Sequence, residues 1–338
     1  MLSLENKKWK DFKIDTLFEV DKGIYLKQNL IIQGNVPYIT AKAVSNGLNE
    51  FIGNKTLFNK NSITVEKVKL TAFYQPKDYY CSHDVSVLKN EFLNKENSLF
   101  ICSMINRQGY KYSYGRQAQM NVIKRETLFC PINEANKPDY KYMEEYTKLL
   151  IDKKLEDYKK YAKKMLSNLE YKEIEPLEKK KWMSFKIYDI FSYQRGKRQI
   201  EANRKKGNIP YYSASQINNG LTDFISNPTF KIETNAIIYS TFGDAYYVEK
   251  GFSTSDEITI LTNNKLNKFN GLFIINSINQ NKSKYSFGRK AFSNKISKDK
   301  IMLPIKNGKP DYDYMEEYIK NLLYKKINQY LNYLEKKN

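Results

Sequence analysis

The sequence predicts a mixed α/β (α+β) protein in which one globular domain occurs twice and each copy ends in a long helix. Three observations predict this architecture. The two halves of the 338-residue chain match each other at a constant offset. Within each half, short apolar and β-branched runs are separated by Gly and Asn turn signals. Each half closes with a segment of about 30 residues that contains neither Pro nor Gly.

The repeat is the strongest of these signals. Trp9 and Trp182, the two tryptophans of the chain, lie 173 residues apart in matching contexts. At that offset KYSYGRQA (111–118) matches KYSFGRKA (284–291), and about a third of positions 8–132 are identical. After the loss of one loop residue, PDYKYMEEY matches PDYDYMEEY. The chain is therefore interpreted as two similar domains rather than a solenoid of short repeats.

The first part of each copy, residues 9–138 and 182–310, has the pattern of a compact mixed domain. Short helices are predicted over 97–108 and 270–280. Apolar and β-branched runs predict strands at 62–70, 84–88, 236–241 and 257–261.

The second part of each copy is predicted to be a helix about 40–48 Å long. Asp139 and Asp311, each preceded by proline, have side chains suited to the N-cap. Glu144 and Glu316 lie near the first turns, where the helix dipole favours negative charge. These starts divide the chain into a domain at 1–138, a helix region at 139–175, a second domain at 176–310 and a final helix region at 311–338.

Apolar residues in both helices recur at alternating spacings of four and three, which is typical of a coiled-coil seam. A lone helix would expose such a seam to water, so the two helices are expected to pack on each other. A short connector (171–181) favours an antiparallel pair, with one domain at each end and a pseudo-twofold axis between them. The expected helix-pair interface consists of Ile151, Leu155, Tyr158, Ala162, Met165, Leu323, Ile327, Tyr330 and Leu334.

The composition combines strong positive charge with enough apolar residues to form a core. Lys and Arg number 57 against 37 Asp and Glu, a net charge of +20, while 41% hydrophobic residues exclude a disordered chain. Both halves are basic, with +8 over residues 1–170 and +12 over 171–338. Such charge favours a polyanionic partner, although the codon bias of an AT-rich genome would also supply these lysines.

Cysteine and histidine usage excludes other classes of protein. Three Cys cannot build a disulfide scaffold and match no zinc pattern, and a single His excludes His-rich sites, so no metal is expected. No apolar run reaches the length of a membrane span, and no apolar signal-peptide core is present at the start. These features predict a cytoplasmic protein without membrane contact.

No catalytic motif is present in the sequence. It lacks a phosphate-binding loop, a dinucleotide fingerprint, a nucleophile elbow and HExxH. A nuclease-like pattern around Asp139 and Asp152 falls on one helix, and Tyr324 replaces Asp152 in copy two. Cys81 and His83 have no counterparts in copy two, which favours a half-exposed strand end over a nucleophilic pair. No catalytic residue is expected.

Nucleic-acid binding is better supported. Cations alternate with aromatics around Gly115 and Gly288, which suits contacts with phosphates or guanine edges and close approach of the backbone. The alternative is that the aromatics are structural and only the cations are solvated. The earlier loops 21–35 and 194–208 differ between copies, which suits domains that read different sequences, or loops that are merely solvated. The candidate DNA-binding residues are Lys22, Lys27, Gln28, Lys111, Tyr114, Arg116, Gln117, Arg195, Lys197, Arg198, Lys284, Phe287, Arg289 and Lys290.

These features resemble the specificity (S) subunits of restriction–modification systems, either type I or BcgI-like type IIB. The opening W-x-x-F-x-I-x-x-[LI]-F, present at 9–18 and 182–191, is typical of their target recognition domains. So is a Gly-containing segment followed by Asn and then Pro, as at Gly115, Asn121 and Pro131. The short helices and the PDYxYMEEY helix entry are closer to the type IIB form.

The resemblance implies that each target recognition domain reads one half of a bipartite, asymmetric site in double-stranded DNA, while the helices set the spacer. It implies that this chain is non-catalytic and binds no cofactor. DNA adenine methyltransferase subunits, alone or fused to an endonuclease, would carry S-adenosylmethionine and the Mg²⁺ needed for any cleavage. A stand-alone DNA-binding regulator or decoy, and a protein–protein adaptor, are the alternatives.

Overall fold

The structure is a computed structural model that describes residues 2–337. It contains two compact units, of which the first ends at Tyr158 and the second begins at Lys159, inside the helix Tyr140–Ser167. Each unit combines three small sheets with helices, so the expected duplication of a mixed α/β domain is confirmed. The finer division into recognition domains and spacer helices stays a prediction.

The first unit contains the first half of the repeat. Its strands are Trp9–Lys13 (β1), Glu19–Lys22 (β2), Gln33–Ile39 (β3), Leu48–Ile52 (β4), Ser62–Glu66 (β5), Ala72–Gln75 (β6), Tyr80–Cys81 (β7), Val85–Lys89 (β8) and Thr127–Pro131 (β9). Its helices are Ile14–Leu17 (α1), Lys95–Asn106 (α2), Met120–Arg125 (α3) and the start of Tyr140–Ser167 (α4), with 3₁₀ turns at Gln28–Leu30, Ser45–Gly47 and Gly109–Lys111.

Three sheets organise these strands. β2, β8, β5 and β6 form an antiparallel sheet in that order, and β1 pairs with β9 so that Trp9 lies opposite Pro131. β3 lies between β4 and β7, antiparallel to the former and parallel to the latter. β5 is buried along its whole length, and its Ile63 and Val65 share one core with Ile101 and Ile105 of α2.

The second unit repeats this topology, except that a short extra strand, β19, extends its β10–β18 pair to three strands. Its strands are Trp182–Lys186 (β10), Ser192–Arg195 (β11), Lys206–Tyr212 (β12), Leu221–Ile225 (β13), Ala236–Ser240 (β14), Ala245–Val248 (β15), Ser253–Thr254 (β16), Ile258–Thr262 (β17), Lys300–Lys306 (β18) and Lys309–Pro310 (β19). Its helices are Ile187–Ile190 (α5), Lys268–Asn279 (α6), Ser293–Ile296 (α7) and Tyr312–Lys337 (α8), with 3₁₀ turns at Glu201–Asn203, Asn218–Gly220 and Lys282–Lys284. The four-stranded sheet has the order β11, β17, β14, β15.

The long helices α4 and α8 begin where the sequence predicts. The Oδ1 atom of Asp139 accepts the backbone N–H of Tyr142 at 2.9 Å, and that of Asp311 accepts the N–H of Tyr314 at 3.1 Å. The predicted N-caps are therefore confirmed. With 28 and 26 residues, the helices are about 42 and 39 Å long.

The predicted helix seam is partly buried. Ala162 and Leu334 are buried, Tyr330 is exposed, and the other six seam residues are half-buried. Antiparallel packing of the two helices stays a prediction.

Each unit fastens its own N-terminal segment to the start of its long helix. The Lys7 ammonium lies 2.6 Å from the Asp139 carboxylate in the first unit. Lys180 makes the same contact with Asp311 in the second unit, at 2.9 Å. Because these aspartates are also the N-caps, one carboxylate both starts the helix and holds the strand segment that precedes β1 or β10.

Candidate nucleic-acid interface

The best-matched segment of the repeat forms a tight turn in each unit, at 113–116 and 286–289. In the first turn the N–H of Arg116 donates to the Ser113 carbonyl at 2.9 Å, and the N–H of Ser113 donates back at 3.2 Å. The corresponding distances in the second turn are 3.1 and 3.3 Å. We call these two segments the exposed turns. Their reciprocal hydrogen bonds fix the same backbone shape in both units.

Both ends of each exposed turn are anchored in the fold. Tyr112 is buried and Tyr285 is half-buried before the turns, while Ala118 and Ala291 are buried after them. The N–H of each alanine donates, at 2.7 Å, to the carbonyl of the residue that follows β5 or β14. The turns therefore project from a fixed base.

A carboxylate organises the base of the first exposed turn. The Tyr112 hydroxyl and the Lys111 ammonium both donate to Glu126, the ammonium at 2.8 Å. Burial opposes ionisation of this carboxyl, but the two hydrogen bonds outweigh it and lower the pKa of Glu126. Burial and the bond to Glu126 raise the pKa of Tyr112 to about 12, so its hydroxyl is a stable donor at neutral pH.

The second unit builds the same base with an aspartate. Asp299 accepts the Tyr285 hydroxyl at 2.5 Å and the Tyr239 hydroxyl at 3.2 Å, and the Lys284 ammonium lies 3.6 Å away. Burial, followed by the bond to Asp299, raises the pKa of Tyr285. Lys111 and Lys284, both candidate DNA contacts, are thus engaged by carboxylates of their own unit.

The aromatic residues of the segment divide into two kinds. Tyr112 and Tyr285 pack in the fold, as the structural interpretation predicts. Tyr114 and Phe287 do not, because each is 84% exposed at the tip of its turn. A ring that is open to solvent in both copies is available to a partner.

The cations at the tips differ in their engagement. Arg116 and Arg289 are exposed, and within residues 2–337 neither guanidinium has a carboxylate within 4.0 Å. Gln117 accepts a hydrogen bond from the Gln119 amide at 3.1 Å. Lys290 lies 2.7 Å from Glu257. Among the candidate residues in and directly after the exposed turns, the two arginines are therefore the cations that no carboxylate of residues 2–337 contacts within 4.0 Å.

In the second unit a residue of the early loop contacts the segment that follows the exposed turn. Arg195 is half-buried: its guanidinium donates to the Asp256 carbonyl and lies 5.3 Å over the Phe292 ring, just beyond the turn. The neighbouring residue Glu257 holds Lys290. The structure therefore brings Arg195 and Lys290 to the same strand end, while Lys197 and Arg198 are exposed in the loop itself.

The early loop of the first unit is more apolar. Its candidates Lys22, Lys27 and Gln28 are exposed. The candidates predicted from the sequence in this loop are all polar, and they do not include four apolar side chains that the structure exposes. These are Ile24, Tyr25, Leu30 and Ile32. Their signal in the sequence is a cluster of large apolar residues that follows neither helical nor strand periodicity.

Cys81 and His83 fit a structural role. Cys81 is fully buried, and burial raises the pKa of its thiol to about 12, so it stays protonated at neutral pH. The His83 ring packs edge-on against Tyr25 at 5.2 Å, with its Nε2 atom 3.3 Å from Asp84. The histidine thus supports the early loop.

Residues 2–337 contain neither a cluster of metal ligands nor a candidate membrane span. No group of three or more His, Cys, Asp or Glu in this range could hold a metal ion. No helix in the same range is both long and apolar enough to cross a membrane.

A duplicated basic domain with an arginine-bearing exposed turn in each copy has the features of a DNA-reading protein. The family model of the type I restriction modification DNA specificity domain matches the chain twice, over residues 6–158 and 179–333. The chain therefore belongs to this family, whose members are non-catalytic DNA-recognition subunits of restriction–modification systems.

Individual proteins agree with this assignment. The chain is 29% identical over 325 residues to the specificity subunit of the type II restriction enzyme BcgI from Heyndrickxia coagulans, covering 92% of this chain and 94% of that relative. It also matches the crystal structure of a type I restriction–modification S subunit from M. genitalium, with a TM-score of 0.54 and 18% identity. That match covers 99% of this chain and 94% of the other, and it concerns the fold.

Proposed function

We propose that each unit reads one half of a bipartite, asymmetric target in double-stranded DNA. One observation carries the proposal: the two units share sheets, helices and exposed turns, while the early loops 21–35 and 194–208 differ in charge and apolar content. Base edges are read by individual side chains, so different loops on one frame select different bases. The target then has two unlike halves.

The long helices would set the distance between these halves. Their lengths of about 42 and 39 Å are close to one turn of DNA, about 34–36 Å. An antiparallel pair of such helices would hold two readers over successive major grooves. The proposed division therefore has readers at 1–138 and 176–310, and spacer helix regions at 139–175 and 311–338.

The proposed partners are DNA adenine methyltransferase subunits, alone or fused to an endonuclease. These partners would carry S-adenosylmethionine and, for cleavage, Mg²⁺, and this chain would bind neither. Because the complex acts on cellular DNA, the proposed location is the cytoplasm.

The test replaces the chain by variants in its native host, and the complex is also purified through this chain to identify its partners. The double variant Lys27→Ala/Gln28→Ala alters exposed residues of the first loop, and Lys197→Ala/Arg198→Ala alters an exposed pair in the second loop. Mapping methylated adenines across the genome should show one half of the motif relaxed by each variant, with the other half intact. Equal effects on both halves would contradict the two-reader proposal. Specific DNA binding without a methyltransferase partner would favour the regulator or decoy.

A further inference from the structure

The exposed turns are shared by two units whose early loops differ. We infer that each exposed turn grips the sugar–phosphate backbone of DNA, independently of sequence, and so positions its unit on its half-site. The inference rests on the proposed function, and it adds a division of labour within each reader. Three separate observations carry it: the space around two glycines, the chemistry of the tips, and their near-identity in the two units.

Most glycines that recur in the repeat are required by the fold. A Cβ on Gly23 would lie 2.1 Å from the Ser82 carbonyl oxygen, and one on Gly196 would lie 2.0 Å from that of Ser255. A Cβ on Gly34 or Gly207 would lie 2.4 Å from facing backbone atoms. Gly47 and Gly220 have a positive φ, which favours glycine.

Gly115 and Gly288, at the tips of the exposed turns, are different. A Cβ on either residue would meet no atom within 4 Å, and neither has a positive φ. Neither crowding around the Cβ position nor a positive φ requires glycine here, yet both copies have it. Glycine at an outward tip lets another surface approach the backbone closely, so the requirement comes from outside the chain.

The side chains beside these glycines define the chemistry of that surface. Arg116 and Arg289 present guanidinium groups without a carboxylate within 4.0 Å in residues 2–337, which suits phosphate oxygens. Tyr114 in one turn is replaced by Phe287 in the other, so the hydroxyl is dispensable and the ring offers an apolar face. An anion next to an apolar sugar is the repeating unit of the DNA backbone.

Near-identity of the turns argues against base reading. The tips share Ser, an aromatic ring, Gly and Arg in the same order and with the same hydrogen bonds. An element common to both readers cannot distinguish two unlike half-sites. Phosphate contacts fix position and orientation without carrying sequence information, which is the role that a common element can fill.

The experiment compares Gly115→Ala and Arg116→Ala in the purified complex. Tyr110→Ala is the matched control, because Tyr110 is equally exposed nearby but Ser283 occupies its place in the second unit. Each turn variant should weaken binding about tenfold, by the same factor on the native target and on targets with substituted bases. For Arg116→Ala the slope of log affinity against log salt should fall by about 0.9. The methylated motif and the melting temperature should not change.

Several results would overturn the inference. A turn variant that changes base preference in the methylated motif would make the turn a base reader. Intact DNA binding with weakened association of the methyltransferase would make it a protein contact. An equal loss in Tyr110→Ala would remove the special role of the tip. If the unmodified complex showed no sequence preference at all, the proposed function itself would fail, which is a separate result.

Discussion

The two units stabilise equivalent tight loops with different side chains. Between β5 and β6, the buried carboxylate of Glu66 accepts three backbone N–H groups of its own loop at 2.7–3.1 Å. Between β14 and β15, where the loop is one residue shorter, the hydroxyl of Ser240 accepts two such groups at 3.2 Å. Buried N–H groups need an acceptor but not a particular one, so the frame tolerates substitutions that keep the hydrogen bonds.

A second comparison concerns a helix position at which the two units have different residues. Asn321 on α8 is buried and exchanges two hydrogen bonds with the backbone of Lys172, at 2.6 and 3.0 Å. The equivalent residue on α4 is Leu149, which is exposed. The next residue, Leu150, lines an apolar pocket of about 470 Å³ together with Trp9. In the second unit the connector that precedes β10 therefore covers this position of the long helix.

The largest expected effect tests whether the backbone packs in the same way around equivalent glycines of the two units. Gly23→Ala and Gly196→Ala each force a Cβ into facing backbone, so each should lower the free energy of unfolding by about 3 kcal/mol. Gly115→Ala, the control, should change it by less than about 0.5 kcal/mol. Urea unfolding of the full chain measures all three. A large cost at one glycine and none at its counterpart would break the equivalence of the units.

The next effect tests the difference at the helix face. Asn321→Leu installs the residue found in the first unit and leaves two backbone groups of Lys172 without partners, which should cost about 2 kcal/mol. The reciprocal Leu149→Asn should be neutral, because its side chain is exposed. Urea midpoints and proteolysis at the connector would report both variants. Equal costs for the two swaps would contradict the comparison.

The smallest effect concerns the base of the exposed turns. Glu126→Gln removes the charge that holds Lys111 and should cost about 1 kcal/mol at neutral pH. Because the pKa of Glu126 is lowered from its ordinary 4.5, its charge stabilises the fold above that value, and the stabilisation is lost as pH falls through the pKa of the folded state.

The difference in melting temperature between wild type and Glu126→Gln should therefore be present at pH 7 and disappear at pH 3. Asp299→Asn should also destabilise its unit, since Asp299 serves the corresponding turn. Glu134→Gln, at an exposed loop position, is the neutral control. A pH-independent gap would assign the effect of Glu126→Gln to packing rather than charge.

Much of the frame was predictable from the sequence because it depends on local signals. Asp139 and Asp311 start helices through hydrogen bonds that span three residues, and the repeat shows each element twice. The engagement of Lys111 by Glu126 was not predictable, because the two residues are 15 apart and no periodicity links them. Nor could the sequence distinguish Gly23 from Gly115, since the atoms that crowd the first come from a distant strand end.

The contacts of Lys7 with Asp139 and of Lys180 with Asp311 close each repeat on itself. Each repeat therefore supplies both the lysine that precedes its first strand and the aspartate that caps its long helix. A genetic exchange with its junction further along the helix would therefore move a whole repeat together with its own lysine–aspartate contact. Recombination at such a junction would give new pairings of repeats without a change to the core of either one.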